Sequence, residues 1–153
     1  MRHTISVVVE NKFGVLARVA GLFSGRGFNI ESLNVAPMLD PNYSQMTIVT
    51  SGDDRILEQV SKQLHKLINV IKVIDYSGGE EFINRELVLI KVTAKAEHRA
   101  EALRISDIFR AKVVDSSAAH YTIEVTGSQG KVNAIIEMLR PLGIKGIVRT
   151  GPV

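Results

Sequence analysis

The chain has 153 residues, 45% hydrophobic and 23% charged, with a net charge of +3; that is enough for one medium or two small soluble domains. It contains no cysteine and no tryptophan, which excludes a disulfide framework, a thiolate metal site and a cysteine nucleophile. The cations are scattered, no apolar run is long enough to cross a membrane, and Met1 to Ser6 show no signal-peptide pattern, so a cytoplasmic protein without nucleic-acid or membrane partners is expected.

Thr4 to Glu10 alternates, with Ile5, Val7 and Val9 on one face, and reads as a strand. After the turn Asn11–Gly14, the residues Val15, Leu16, Val19, Leu22 and Phe23 recur at helical spacing and stop at Gly25-Arg26-Gly27. Phe28 to Pro37 and Gln45 to Thr50 read as strands joined through Asp40-Pro41-Asn42. Ser51-Gly52-Asp53 caps a second helix carrying Ile56, Leu57, Val60, Leu64 and Leu67, and Val70 to Asp75 is a fourth strand. Tyr76 to Glu81 is small, polar and glycine-bearing, a linker composition.

The same order then repeats. Arg85 to Thr93 is strand-like, with Leu87, Leu89 and Lys91 alternating against Val88, Ile90 and Val92. Glu97 to Phe109 is helical, with Ala100, Leu103, Ile105, Ile108 and Phe109 as its expected core face. Ala111 to Ser116 and Tyr121 to Thr126 are strands, Lys131 to Leu139 is a helix with Val132, Ile135, Ile136 and Leu139 inward, and Ile144 to Thr150 closes the unit. The expectation is an α+β chain of two ferredoxin-like βαββαβ units, with antiparallel sheets and helices on one face. The expected boundaries are 1–76 for the first domain, 77–83 for the linker and 84–153 for the second domain.

Catalytic constellations are missing from the pattern. His3, His65, His98 and His120 lie on different elements without metal-binding spacing, and read as surface or incidental histidines. No Lys-Ser/Thr follows Gly21, Gly25 and Gly27, so they form no phosphate loop, and there is no nucleophile elbow. The βαββαβ order also builds RNA-binding modules, but these stack bases on strand aromatics, which Thr4–Glu10 and Gln45–Thr50 lack. No catalytic residue and no metal site is assigned. An amino-acid-responsive transcription regulator is the alternative reading; it needs a DNA-reading helix pair and a basic face, and neither is visible.

One loop-to-helix turn has ligand chemistry. Gly14 sits where the first helix begins, so the amides of Val15 and Leu16 lack intrahelical partners and lie at the positive end of the helix dipole. Such an end cradles a carboxylate, and glycine lets a ligand approach the backbone. Asn11 offers an amide that both donates and accepts, for an α-ammonium or a carboxylate oxygen.

The run Val8 to Val19 resembles the opening of an ACT domain, a family that binds small amino acids at subunit interfaces. Gly21 to Leu33, Val35-Ala36-Pro37, Met46-Thr47-Ile48, Lys62 to Leu67, Arg85-Glu86-Leu87, Ile108 to Ala111 and Tyr121 to Gly127 resemble the acetohydroxyacid (acetolactate) synthase small-subunit family, over nearly the whole chain. The resemblance implies a homodimer whose first units join their sheets side by side, with valine at the interface. Asn11, Gly14, Val15 and Leu16 would come from one subunit, and Asn29 and Ile30 from the other. Ala36 would stand beside the apolar slot, where a larger side chain narrows it. The resemblance further implies a regulatory chain with no cofactor of its own. It would activate a catalytic large subunit carrying thiamine diphosphate, magnesium and FAD, and confer feedback inhibition by valine on branched-chain amino acid biosynthesis.

Overall fold

The computed structural model describes residues 2–77 and 81–153, and its contacts divide the chain into two compact units, 1–83 and 84–153. The centre of the expected linker, Gly78 to Glu80, lies outside the described residues.

In the first unit, strand β1 (Arg2–Glu10) is followed by helix α1 (Val15–Gly25), strands β2 (Asn29–Pro37) and β3 (Tyr43–Ser51), helix α2 (Asp54–Lys66) and strand β4 (Val70–Asp75). They form one four-stranded antiparallel sheet in the order β2-β3-β1-β4. The alternation read from the sequence is the reason for the layering. Ile5, Val7 and Val9 share a face with Met46 and Ile48, and on that face Val15, Val19 and Phe23 of α1 and Leu57, Val60 and Leu64 of α2 close the core. Leu16 and Ile56, expected inward, are partly exposed. Each lies one residue from a core position, on the flank of its helix. Gly27 ends α1 with φ +76°, while its amide bonds Ser24 and that of Phe28 bonds Phe23 at 3.0 Å, the reciprocal pattern of a glycine helix stop. Asp53 caps α2 by accepting from the Arg55 amide at 2.8 Å.

The second unit runs β5 (Glu86–Thr93), α3 (Arg99–Ile108), β6 (Lys112–Ser116), β7 (His120–Gly127), α4 (Gln129–Leu139) and β8 (Ile144–Arg149), with a short 3-10 turn at Arg140–Leu142. Its sheet order is β6-β7-β5-β8. Val88, Ile90, Val92, Ile123 and Val125 meet all four inward residues expected of α4. Helix α3 departs from expectation. Ala102, Ile105 and Ser106 are buried and Phe109 packs on the core, whereas Ala100, Leu103 and Ile108 face outward. Residues 102, 105, 106 and 109 make the stripe, and Ser106 can join it because its hydroxyl donates to the Ala102 carbonyl at 3.0 Å. His3 also differs from the surface reading. It is buried, with Nε2 2.7 Å from Asp54 and Nδ1 3.2 Å from Asp75, so it links the starts of β1 and α2 to the end of β4. Among the described residues no helix is long and apolar enough to cross a membrane.

Candidate ligand-binding site

The chain between β1 and α1 is pinned from three sides. The Glu10 amide bonds the Asn69 carbonyl at 2.8 Å, and the Asn11 amide bonds the Asn42 carbonyl at 2.8 Å. The Asn11 side-chain amide donates to the Pro41 carbonyl at 3.1 Å, tying the loop to the β2–β3 hairpin. Among the described residues Asn11 Oδ1 is then an acceptor without a partner, which suits an ammonium better than a carboxylate. Glu10 pairs with Lys12 at 2.9 Å and accepts from Asn69 at 3.2 Å, while Arg18 donates to the Asn69 side chain at 3.0 Å. The hydrogen bond from Lys12, then that from Asn69, holds the Glu10 carboxyl below the usual carboxylate range, and Glu10 in turn raises the Lys12 ammonium. A shallow cleft of about 240 Å³ opens here, lined by Glu10, Asn11, Lys12, Pro41, Asn42 and Tyr43.

Gly14 takes φ +81° at the start of α1, with open space where a Cβ would stand. Every other residue type is strained in that conformation. No side chain caps this helix, and no acidic residue lies in its first turn. The Val15 amide reaches the Lys12 carbonyl only at 3.4 Å, and the first regular helical bond runs from Arg18 to Gly14 at 3.2 Å. Among the described residues the Leu16 and Ala17 amides thus have no partner at the positive end of α1. The Val15 side chain is in the core and offers no surface to a ligand, while Leu16 is half-exposed.

Asn29 and Ile30 lie at the other end of the sheet. Asn29 opposes Ser51, which opposes Arg2, whereas Glu10 opposes Tyr43. The length of β1 separates the two rows by about 27 Å, so within one chain the two halves of the expected site do not meet. Ala36 and Pro37, at the far end of β2, oppose Gln45 and Ser44 and therefore lie on the Asn11 side. β2 is an edge strand of this sheet. Sequence reading missed Glu10, Lys12, Pro41, Asn42 and Asn69 as parts of this site. The turn composition of Asp40-Pro41-Asn42 was visible, but nothing in it tells which loop it will meet. Among the described residues, no cluster of three or more His, Asp or Glu is placed to hold a metal ion.

A family model described as the ACT domain of AHAS small subunits matches residues 5–72, and one described as the small subunit of acetolactate synthase matches residues 85–153. An acetolactate synthase small subunit of Aquifex aeolicus is 52% identical over 153 residues, covering 99% of this chain and 79% of its own. The chain belongs to the acetolactate synthase small-subunit family. A Mycobacterium bovis member is 51% identical over 151 residues, covering 99% of this chain and 89% of its own. The crystal structure of the Thermotoga maritima small subunit superposes with a TM-score of 0.90 at 40% identity, covering 100% of this chain and 95% of that one. The two-unit fold is therefore the fold of this family. In it the ACT match ends at residue 72, near the end of β4, and the second match opens beside β5.

Proposed function

We propose that the chain is a non-catalytic, cytoplasmic regulatory subunit. It binds valine between two copies of itself and reports that binding to the catalytic large subunit of acetolactate synthase. The family membership supports the role. The observation that carries the site is the separation of its halves: Asn11 and the free amides of α1 lie at one end of the sheet, and Asn29 and Ile30 at the other. A two-fold axis between two β2 edges reverses one strand against the other. It brings Asn29 and Ile30 of the second copy to the Ala36–Pro37 end of the first, beside Asn11 and the start of α1. The amides of Leu16 and Ala17 then receive the valine carboxylate, Asn11 Oδ1 and Asn29 its ammonium, and Ile30 and Leu16 line a slot for the isopropyl group. Leucine and isoleucine fit less well, by about 1–3 kcal/mol.

Valine acts on the enzyme by binding two states of the regulatory dimer unequally. Without it, the dimer docks on the large subunit and raises its activity; with it, the dimer holds a slower form, giving feedback inhibition of branched-chain amino acid synthesis. Thiamine diphosphate, magnesium and FAD belong to the catalytic partner in this reading.

Calorimetry with subunit mixing tests the site. Asn11→Ala and Asn29→Ala should each weaken valine binding about ten- to a hundredfold, the usual loss of a hydrogen bond to a charged group. Mixing the two variants should restore tight binding at about a quarter of the sites, because half of the mixed dimers are hybrids with one intact site. No recovery on mixing would show that both asparagines act within one chain, or not at all.

A further inference from the structure

The polar side chains around the start of α1 form one connected run. Lys12 Nζ lies 2.9 Å from Glu10 Oε2, and the same oxygen accepts from the Asn69 side-chain amide at 3.2 Å. Asn69 Oδ1 accepts from Arg18 at 3.0 Å, and the Asn69 backbone carbonyl accepts from the Glu10 amide at 2.8 Å. Three bonds thus converge on one partly buried residue in the turn between α2 and β4. An amide suits that place, because one planar group donates to the carboxylate and accepts from the guanidinium.

The run brackets the turn. Lys12 and Arg18 stand in sequence on either side of Gly14, with φ +81°, and of the Leu16 and Ala17 amides. Glycine gives this turn its shape, but it also leaves the backbone free to abandon it. No side chain caps the helix start, and its first regular bond, from the Arg18 amide to the Gly14 carbonyl, is 3.2 Å long. From outside, Asn11 ties the loop to the hairpin, and Asn69 ties both ends of the turn to the end of α2. We infer that Asn69 is a positioning residue of the amino-acid site. Acting through Glu10 and Arg18, it fixes the angle at which the loop enters α1 and so aims the Leu16 and Ala17 amides. The inference rests on the valine site proposed above, yet its effect on the turn can be read without a ligand.

Two measurements on the full-length chain test it. Asn69→Ala should speed hydrogen exchange at the Arg18 amide about three- to tenfold, while the amides of Val7 and Ile48 in the central strands stay within about twofold. By calorimetry the same variant should weaken valine binding about three- to tenfold. Glu10→Gln combined with Asn69→Asp swaps carboxylate and amide and keeps both side-chain bonds. It should therefore return the Arg18 amide and valine affinity to within about twofold of the original chain. A side chain that merely adds stability would move the sheet amides together with that of Arg18. The inference is overturned if Asn69→Ala leaves the Arg18 amide unmoved, if the sheet amides speed up equally, or if the double substitution brings no recovery. It is also overturned if Asn69→Ala leaves valine affinity unchanged while Asn11→Ala lowers it. If the original chain takes up no valine while the exchange pattern holds, the valine site is wrong and the clamp on the turn stands.

Discussion

The two units share a strand order and even their bulges, yet the corresponding loops at the start of their first helices are finished in opposite ways. In the first unit Asn11 ties the loop to the hairpin carbonyl of Pro41, the helix start at Gly14 is uncapped, and a cleft remains over the hairpin. In the second unit Arg99 occupies the equivalent ground. Its guanidinium donates to the carbonyls of Ala94 at 3.1 Å, Ser117 at 3.3 Å and Ala118 at 2.9 Å, and lies 5.7 Å from the Tyr121 ring centre. Glu101 adds a negative charge to the first turn of α3. One unit thus keeps a cleft between loop and hairpin, and the other ties its loop to the hairpin with its own cation. Helices α2 and α4 are closed differently, by Asp53 and Ser128 at their starts. Among the four described α-helices, α1 alone has neither a side-chain cap nor an acidic residue in its first turn.

The largest effect should come from closing the open unit. Gly14→Val places a β-branched side chain at φ +81°, at a cost of about 1–3 kcal/mol in backbone strain. Its methyl groups also occupy the approach to the Leu16 amide. We expect a lower melting temperature and, by calorimetry, no measurable valine binding by the folded fraction. Retained binding would show that the ligand does not approach over the backbone at Gly14.

Opening the closed unit is the converse experiment. Arg99→Ala leaves three hairpin and strand carbonyls without their donor, a loss of about 1–3 kcal/mol. Urea unfolding should register that loss, while valine affinity should remain within a factor of about two, since changes that share no partner seldom couple by more than ~0.5 kcal/mol. A parallel fall in valine affinity would mean that the second unit also contributes to the ligand site.

Much of this contrast lies beyond what the sequence pattern reveals. Alternating strands and the apolar stripe of α4 were readable because each residue's environment follows from local periodicity. Asp53 was readable as a cap for the same reason. Helix α3 misled because two apolar stripes compete there, and the buried one includes Ser106, whose hydroxyl is satisfied within its own helix. His3 misled because its partners, Asp54 and Asp75, are 51 and 72 positions away. Asn11 and Gly14 could be picked out from their place before a helix. The Pro41 carbonyl that orients Asn11 lies 30 positions away, and no spacing rule joins them. Nor does the sequence alone show that Asn29 stands at the opposite end of the sheet, which is a consequence of strand order.

The smallest effect should come from the charges that steady the open loop. The hydrogen bond from Lys12, followed by that from Asn69, lowers the Glu10 pKa from its ordinary value of 4.5, while Glu10 raises that of Lys12 from 10.5. A carboxylate with a depressed value stabilises the fold in its ionised form. Its contribution is complete above pH 4.5 and fades as the pH falls through the lower, folded value; that of Lys12 is complete below pH 10.5 and fades as the pH rises through its higher one. Across neutral pH the pair is therefore constant. Lys12 is exposed and Glu10 partly so, and screening by salt keeps the contribution small. Glu10→Gln removes the charge but keeps the length of the side chain and an oxygen for Asn69. Melting curves of the two proteins should then differ slightly at neutral pH and converge on acidification below pH 4.5, with the gap narrowing in high salt. Curves that stay parallel down to acid pH would mean that the Glu10 charge contributes nothing, leaving the loop to be held by Asn11 and the backbone bonds to Asn42 and Asn69 alone.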